Sequence, residues 1–182
     1  MKTLRLICIM GAESTGKTTL AQSLAAHFDC PWVPEYLRRF CQEHARTPTR
    51  EEQQGVLEMQ YRTELAAQAQ AGQLASPFVF CDTAPLLTAI YSDYIFGDRS
   101  LYARARALHA SYALTLLLAP DIAWVADGLQ RDGEQVRQPV TQMISRELGA
   151  LALPVASIAG QGDQRFASAL QAVQAIRAGA TC

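Results

Sequence analysis

Short, nearly unbroken apolar runs alternate along this chain with longer stretches in which apolar residues return every three or four positions. The runs Leu4 to Met10, Trp32 to Glu35, Pro77 to Asp82, Leu114 to Leu118 and Val155 to Ala159 read as strands. Continuous rather than alternating apolar character marks strands covered on both faces. Between them the spacing predicts a helix opened by Lys17, with Leu20, Leu24 and His27-Phe28 on one side, and a long helix from Arg50 to Gln73 carrying Val56, Met59, Thr63 and Ala66. Further helices are expected over Pro85 to Phe96, Ser100 to Ser111, Val140 to Leu151 and Gln164 to Ala178. Strands alternating with helices predict an α/β fold, a five-stranded parallel sheet flanked by helices. One interval breaks the pattern: Asp121 to Arg137 is rich in Asp, Gly and Arg and reads as a mobile flap or lid.

The turn behind the first strand carries the chemistry. Gly11-Ala12-Glu13-Ser14-Thr15-Gly16-Lys17-Thr18-Thr19 matches G-x-x-x-x-G-K-[ST] between a strand and a helix. Such a P-loop turns backbone N–H groups toward phosphate oxygens, and the helix that follows adds its positive dipole end. Thr18 is then the Mg²⁺-binding hydroxyl. Of the 16 Lys and Arg residues only Lys2 and Lys17 are lysine, so a compact ammonium at Lys17 is a specific choice in a chain that otherwise uses arginine. Glu13 is the odd member. A carboxylate in an anion-binding loop repels the ligand unless it points outward into solvent or pairs with a cation such as a flap arginine.

Two further carboxylates stand at strand ends. Asp82 closes the third strand, where in P-loop folds a carboxylate lies beside the metal and the γ-phosphate; it is a candidate to hold Mg²⁺ through water, to accept a proton, or simply to cap the helix at Pro85. Glu35 closes the second in Pro34-Glu35-Tyr36-Leu37-Arg38. The carboxyl ends of strands in open α/β sheets form the ligand crevice, so Glu35 is the first choice as general base, with Tyr36 beside it and Arg38 as a clamp. The alternative is a surface ion pair between Glu35 and Arg38. Within the flap, Arg131 and Arg137 are placed to neutralise a phosphoryl group in flight if the segment closes. Tyr61, Tyr91, Tyr94 and Trp124 are candidates to stack on an aromatic ring, although aromatic residues on helices more often belong to the core.

Composition narrows the field. A chain of 182 residues is sized for one domain over residues 1–182, with the lid at about 121–137. Its net charge of -1 offers no basic footprint for a nucleic acid polymer. No apolar run is long enough to span a bilayer, and five cysteines without a C-x-x-C pair fit a reduced, cytoplasmic setting. The sequence holds no asparagine, which rules out the N-K-x-D guanine-recognition motif and leaves ATP as the simpler nucleotide. Oligomeric state is not legible.

Four blocks together carry a resemblance: G-x-E-S-T-G-K-T at Gly11 to Thr18, E-Y-x-R at Glu35 to Arg38, F-x-D-T at Phe80 to Thr83 and W-V-x-D-G-L-x-R at Trp124 to Arg131. They resemble the ribosylnicotinamide kinase domain of the NadR family over Leu6 to Ile176. The resemblance implies a P-loop kinase, related in architecture to nucleoside and nucleotide kinases, that moves the γ-phosphate of ATP to the 5′-hydroxyl of nicotinamide riboside. It further implies ATP and Mg²⁺ on Gly11 to Thr18, Glu35 and Asp82 at the transferring phosphate and acceptor ribose, and Arg131 in the lid; Asp127, in the same block, is a candidate substrate-binding residue. Family members resembling the bifunctional enzyme tend to have an aromatic residue where this chain has Pro34, so Trp32 or Tyr61 is expected to supply the stacking wall. His27, His44 and His109 form no H-x-G-H motif, and the chain resembles the kinase unit alone, without an adenylyltransferase or DNA-binding segment. Beside this stands a second expectation, a regulatory ATPase or nucleotide-sensing module without a small acceptor.

Overall fold

The central apolar runs become strands because each can be covered on two sides. In a computed structural model of the chain, which describes residues 4–74, 76–125 and 134–177, five strands form one parallel sheet. They are β1 (Arg5–Met10), β2 (Trp32–Val33), β3 (Phe78–Asp82), β4 (Tyr112–Leu118) and β5 (Val155–Ile158), in the order β2-β3-β1-β4-β5. β3 is buried throughout and β1 everywhere but at Arg5. The helices among the described residues are α1 (Lys17–Phe28), α2 (Tyr36–His44), α3 (Gln53–Gln73), α4 (Pro85–Phe96), α5 (Tyr102–His109), α6 (Arg137–Leu151) and α7 (Gly162–Arg177).

The two-residue period of β1 sorts the helices into layers. Leu6, Cys8 and Met10 face a core shared with Leu57 of α3, Ile90 of α4, Ala105 of α5 and Ile144 of α6. Ile7 and Ile9 face the opposite core, with Leu20 and Leu24 of α1, Phe80 and Leu116 from the flanking strands, and Val173 of α7. Each such fully buried aliphatic side chain contributes roughly 1.5–3 kcal/mol over its exposed state. A one-residue slip of β1 would exchange the two sets, so its register is tightly specified.

Three local features differ from the sequence reading. α2 went unanticipated because it is short and mostly polar, with only Phe40 and Cys41 buried. Its start shortens β2 and leaves Glu35 at the position before the helix rather than in the strand. α3 begins at Gln53, not Arg50, because Glu52 accepts the Thr49 N–H at 2.8 Å and the Arg46 guanidinium at 2.6 and 2.7 Å, which fixes the preceding turn. Arg137 was assigned to the flap; it is the first residue of α6, 7% exposed, and its Nη2 donates to the Ile122 carbonyl at 3.0 Å.

β1 pairs with β3 on one side and β4 on the other, bringing Ile9 opposite Asp82 and Met10 opposite Leu117. The chain leaves β1 toward one sheet edge and β4 toward the other, which opens a crevice beyond their carboxyl ends. Gly11 sits at its floor: a Cβ there would lie 3.1 Å from the Leu118 carbonyl oxygen, 3.2 Å from Leu118 Cβ and 2.8 Å from Thr15 Oγ1. Gly11→Ala is therefore expected to cost about 1–3 kcal/mol by overpacking, read as a lowered melting temperature together with weaker nucleotide binding; an unchanged melting temperature would show that the loop can lift off β4 freely.

Behind the crevice a buried polar strut crosses from α3 to α2. Gln60 Oε1 accepts the Tyr36 N–H at 2.8 Å, and Gln60 Nε2 donates to Glu64 Oε1 at 3.1 Å. Burial pushes the Glu64 carboxyl up to about 7, against the opposing pull of the neighbouring Tyr112 hydroxyl and the Gln60 amide. His109, buried at the end of α5 with Nε2 3.0 Å from Thr115 Oγ1, is driven down to about 4 by its burial. The two act with opposite sign. A carboxyl raised in the folded state holds its proton longer than in the unfolded chain, so stability falls as pH rises from about 4.5 through 7, by on the order of 3 kcal/mol. A depressed imidazole lowers stability as pH falls from about 6.5 toward 4. Glu64→Gln should match the wild type in melting temperature near pH 4.5 and exceed it by several degrees at pH 8; a gap that does not change with pH would contradict this account.

Candidate active site

The loop after β1 folds as an anion cradle because two of its residues take left-handed backbone conformations, Ser14 (φ 54) and Gly16 (φ 81). At Gly16 that conformation favours glycine, and Ile122 Cδ1 stands 3.6 Å from where a Cβ would be. The first intrahelical bond of α1 runs from the Leu20 N–H to the Gly16 carbonyl at 3.0 Å, so the N–H groups of Lys17, Thr18 and Thr19 are the open donors of a helix end. The Thr15 hydroxyl donates to the Ala12 carbonyl at 2.9 Å, and the Lys17 ammonium reaches the same oxygen at 3.0 Å. Ser14 closes the rim: its Oγ accepts the Val125 N–H at 2.9 Å and donates to the Val125 carbonyl at 3.3 Å. The segment after β4 is thereby fastened to the cradle at Val125.

Asp82 lies beneath Thr18, 1% exposed, and its Oδ2 accepts the Thr18 hydroxyl at 2.5 Å. Burial raises its carboxyl above the ordinary range, while the Lys17 ammonium, the Thr18 hydroxyl and the Arg38 guanidinium pull it back. Its other oxygen, Oδ1, is buried with no hydrogen-bond partner, a situation that costs free energy unless a ligand completes it. The residue after it, Thr83, takes φ 78, a strained conformation for a β-branched side chain, and donates its N–H to the Ile9 carbonyl at 3.0 Å. That hydrogen bond holds the Asp82 end of β3 against the end of β1. A hydroxyl beside a carboxylate with a vacant oxygen suits Mg²⁺, which keeps most of its shell for phosphate and water. No cluster of three or more His, Cys, Asp or Glu that could hold a metal occurs among the described residues.

A cavity of ≈ 580 Å³ extends from the cradle across the crevice. It is lined by Glu13 to Thr19 of the cradle, by Glu35, Leu37 and Arg38 at the start of α2, by Thr47, Pro48 and Gln53, by Leu87, Thr88, Tyr91, Ile95 and Phe96 of α4, and by Ile122, Ala123 and Val125. This volume is within the range of small-molecule sites. Glu35 and Arg38 thus face the cavity rather than forming an outer surface. Glu13 does as well, 8% exposed, so an outward, solvated side chain is not what the loop builds.

The other sequence candidates scatter. Of the four aromatic residues proposed for stacking, only Tyr91 lines the cavity. Tyr61 packs against the core with the Arg104 guanidinium 5.3 Å over its ring, and Trp32 packs on the opposite face of the sheet. Tyr94 is 38% exposed on α4. Trp124 is half-buried in the segment after β4. Tyr36 contributes its backbone N–H to the Gln60 strut. Asp127 and Arg131 lie outside the described residues. Thr47, Pro48, Gln53, Thr88 and Phe96 were not anticipated, because no spacing rule tells which side of a helix or loop will face a crevice.

Comparison with known proteins agrees with this geometry. The model of the family described as AAA domain matches residues 6–165. The trifunctional NAD biosynthesis/regulator protein NadR of Salmonella typhimurium is 27% identical over 148 residues, covering 79% of this chain and 35% of the relative, so the chain spans about a third of that protein's length. In shape, the chain is similar to a crystal structure of NadR protein in complex with NR, at TM-score 0.80 and 24% identity, covering 94% of this chain and 51% of the other. A NadR structure in complex with NAD and AMP-PNP gives TM-score 0.78 and 22% identity, over 94% and 49%. No helix among the described residues is long and apolar enough to cross a membrane. With its fold an α/β P-loop NTPase sheet and the family model matched over most of its length, the chain belongs to the AAA domain family.

Proposed function

We propose that the chain is an ATP-dependent kinase that phosphorylates the 5′-hydroxyl of nicotinamide riboside, giving nicotinamide mononucleotide in cytoplasmic NAD salvage. One observation carries the reading: a single cavity joins the phosphate cradle to a carboxylate, an arginine and an aromatic wall, so donor and acceptor can share one space. The likeness to NadR, whose solved forms hold NR or AMP-PNP, supports the choice of acceptor.

The residues divide the work. The cradle N–H groups and Lys17 bind the β and γ phosphates, and Lys17 exchanges its Ala12 carbonyl for phosphate oxygen when nucleotide enters. Thr18 and Asp82 would hold Mg²⁺, which when bound supplies charge neutralisation at the phosphates. Tyr91 and Phe96 offer ring surface to the nicotinamide, a pyridinium cation that an aromatic face attracts. Glu35 accepts the 5′-hydroxyl proton as the new oxygen–phosphorus bond forms and the bond to the β-phosphate oxygen breaks, releasing ADP. Arg38 neutralises charge on the group in transfer. Asp82, buried under Thr18 and away from the cavity wall, suits the metal role better than that of base.

With Mg-ATP and a panel of nucleosides, phosphoryl transfer should favour nicotinamide riboside. Lys17→Ala should lower kcat/KM by about 10³-fold, the scale of losing a preorganised charge at a developing anion, and Glu35→Gln should reduce kcat by about 10²-fold or more with KM for ATP little changed. Release of ADP with no phosphorylated acceptor would instead establish the ATPase reading.

A further inference from the structure

A buried arginine outside the cavity grips the phosphate cradle from behind. Arg165, in the first turn of α7, is 5% exposed. A cation is poorly placed at a helix N-terminus, where the dipole repels it, so its presence there calls for compensation from elsewhere. The guanidinium finds it in four oxygens drawn from three segments. Nη1 donates to the Thr15 carbonyl of the cradle, Nη2 donates to Asp121 Oδ1 and, at 3.1 Å, to the Ala119 carbonyl beyond β4, and Nε donates to the Gly160 carbonyl beyond β5 at 2.7 Å. Asp121 Oδ2 in turn accepts the Gly160 N–H at 2.7 Å.

The bond to Thr15 has a directional consequence. A trans peptide is planar with its C=O and N–H antiparallel, so anchoring the Thr15 oxygen on the α7 side turns the Gly16 N–H to the opposite side, where Gly16 lines the cavity. Gly16 has the conformational freedom to let this peptide rotate. We propose that Arg165 is a positioning residue for the nucleotide: it locks the Thr15–Gly16 peptide so that the Gly16 N–H stays aimed at the phosphates. The role depends on the nucleotide-binding function of the loop. It also requires a planar fork, because an ammonium has three donors and no means of spanning all four oxygens in one plane.

The test measures two affinities on one variant. Arg165→Lys keeps the charge and should weaken binding of a non-hydrolysable ATP analogue at least tenfold while the dissociation constant of nicotinamide riboside changes less than twofold. Asp121→Asn, which loosens the guanidinium without removing it, should give a smaller loss in the same direction and serves if the lysine variant does not fold. A purely structural arginine would weaken both ligands alike or neither, and either result overturns the proposal. Wild-type protein that binds no analogue would defeat the kinase reading itself and this role with it; wild-type binding with unaffected variants defeats only the role of Arg165.

Discussion

The central position of β1, hydrogen-bonded on both edges and covered on both faces, is the constraint on which the site depends. Because β3 and β4 flank it in fixed register, the cradle at its carboxyl end has the Asp82 end of one neighbour on one side and Leu118 of the other pressed against Gly11. A strand that could slide would carry the cradle away from its carboxylate. Two fully packed cores oppose that, since a one-residue shift of β1 exchanges buried aliphatic side chains between layers that are already full.

Polar groups around the crevice are arranged by the same packing. Asp82 is buried by the sheet that presents it, and the Lys17 and Arg38 charges then oppose the cost of burying it. Gln60 spans from Glu64 to the Tyr36 N–H, so the start of α2, and Glu35 with it, is tied to the long helix α3 rather than left to a mobile loop. On the far side two buried arginines hold the segment after β4 at adjacent residues, Arg165 at Asp121 and Arg137 at the Ile122 carbonyl. Val125 is joined to Ser14 on the cradle rim.

Much of this architecture was legible beforehand. The strands were found because burial on both faces leaves an uninterrupted apolar run, and the long helices because their apolar positions repeat at helical spacing. α2 escaped because it is short and mostly polar and follows directly on β2, although its Tyr36, Leu37, Phe40 and Cys41 do return at helical spacing. The cradle was readable because left-handed conformations and close approaches demand glycine at set spacings. The acceptor wall was not. Tyr61, Tyr91 and Tyr94 look equivalent in sequence, yet only Tyr91 faces the cavity, since the orientation of α4 and α3 on the sheet decides which side of each helix the crevice meets.

The sequence by itself determined the alternation of strand and helix, the phosphate-binding turn and the acid that ends β3, for these follow from local backbone sterics and the periodicity of burial. Tertiary structure alone decided that Asp82 meets Thr18 while Glu35 and Arg38 face the cavity, and that Glu64 is buried. It alone brought Arg165, 150 residues further along the chain, to the carbonyl of Thr15. Contacts of that separation arise from how strands order themselves in a sheet, and strand order is a property of the whole packed molecule rather than of any stretch of its sequence.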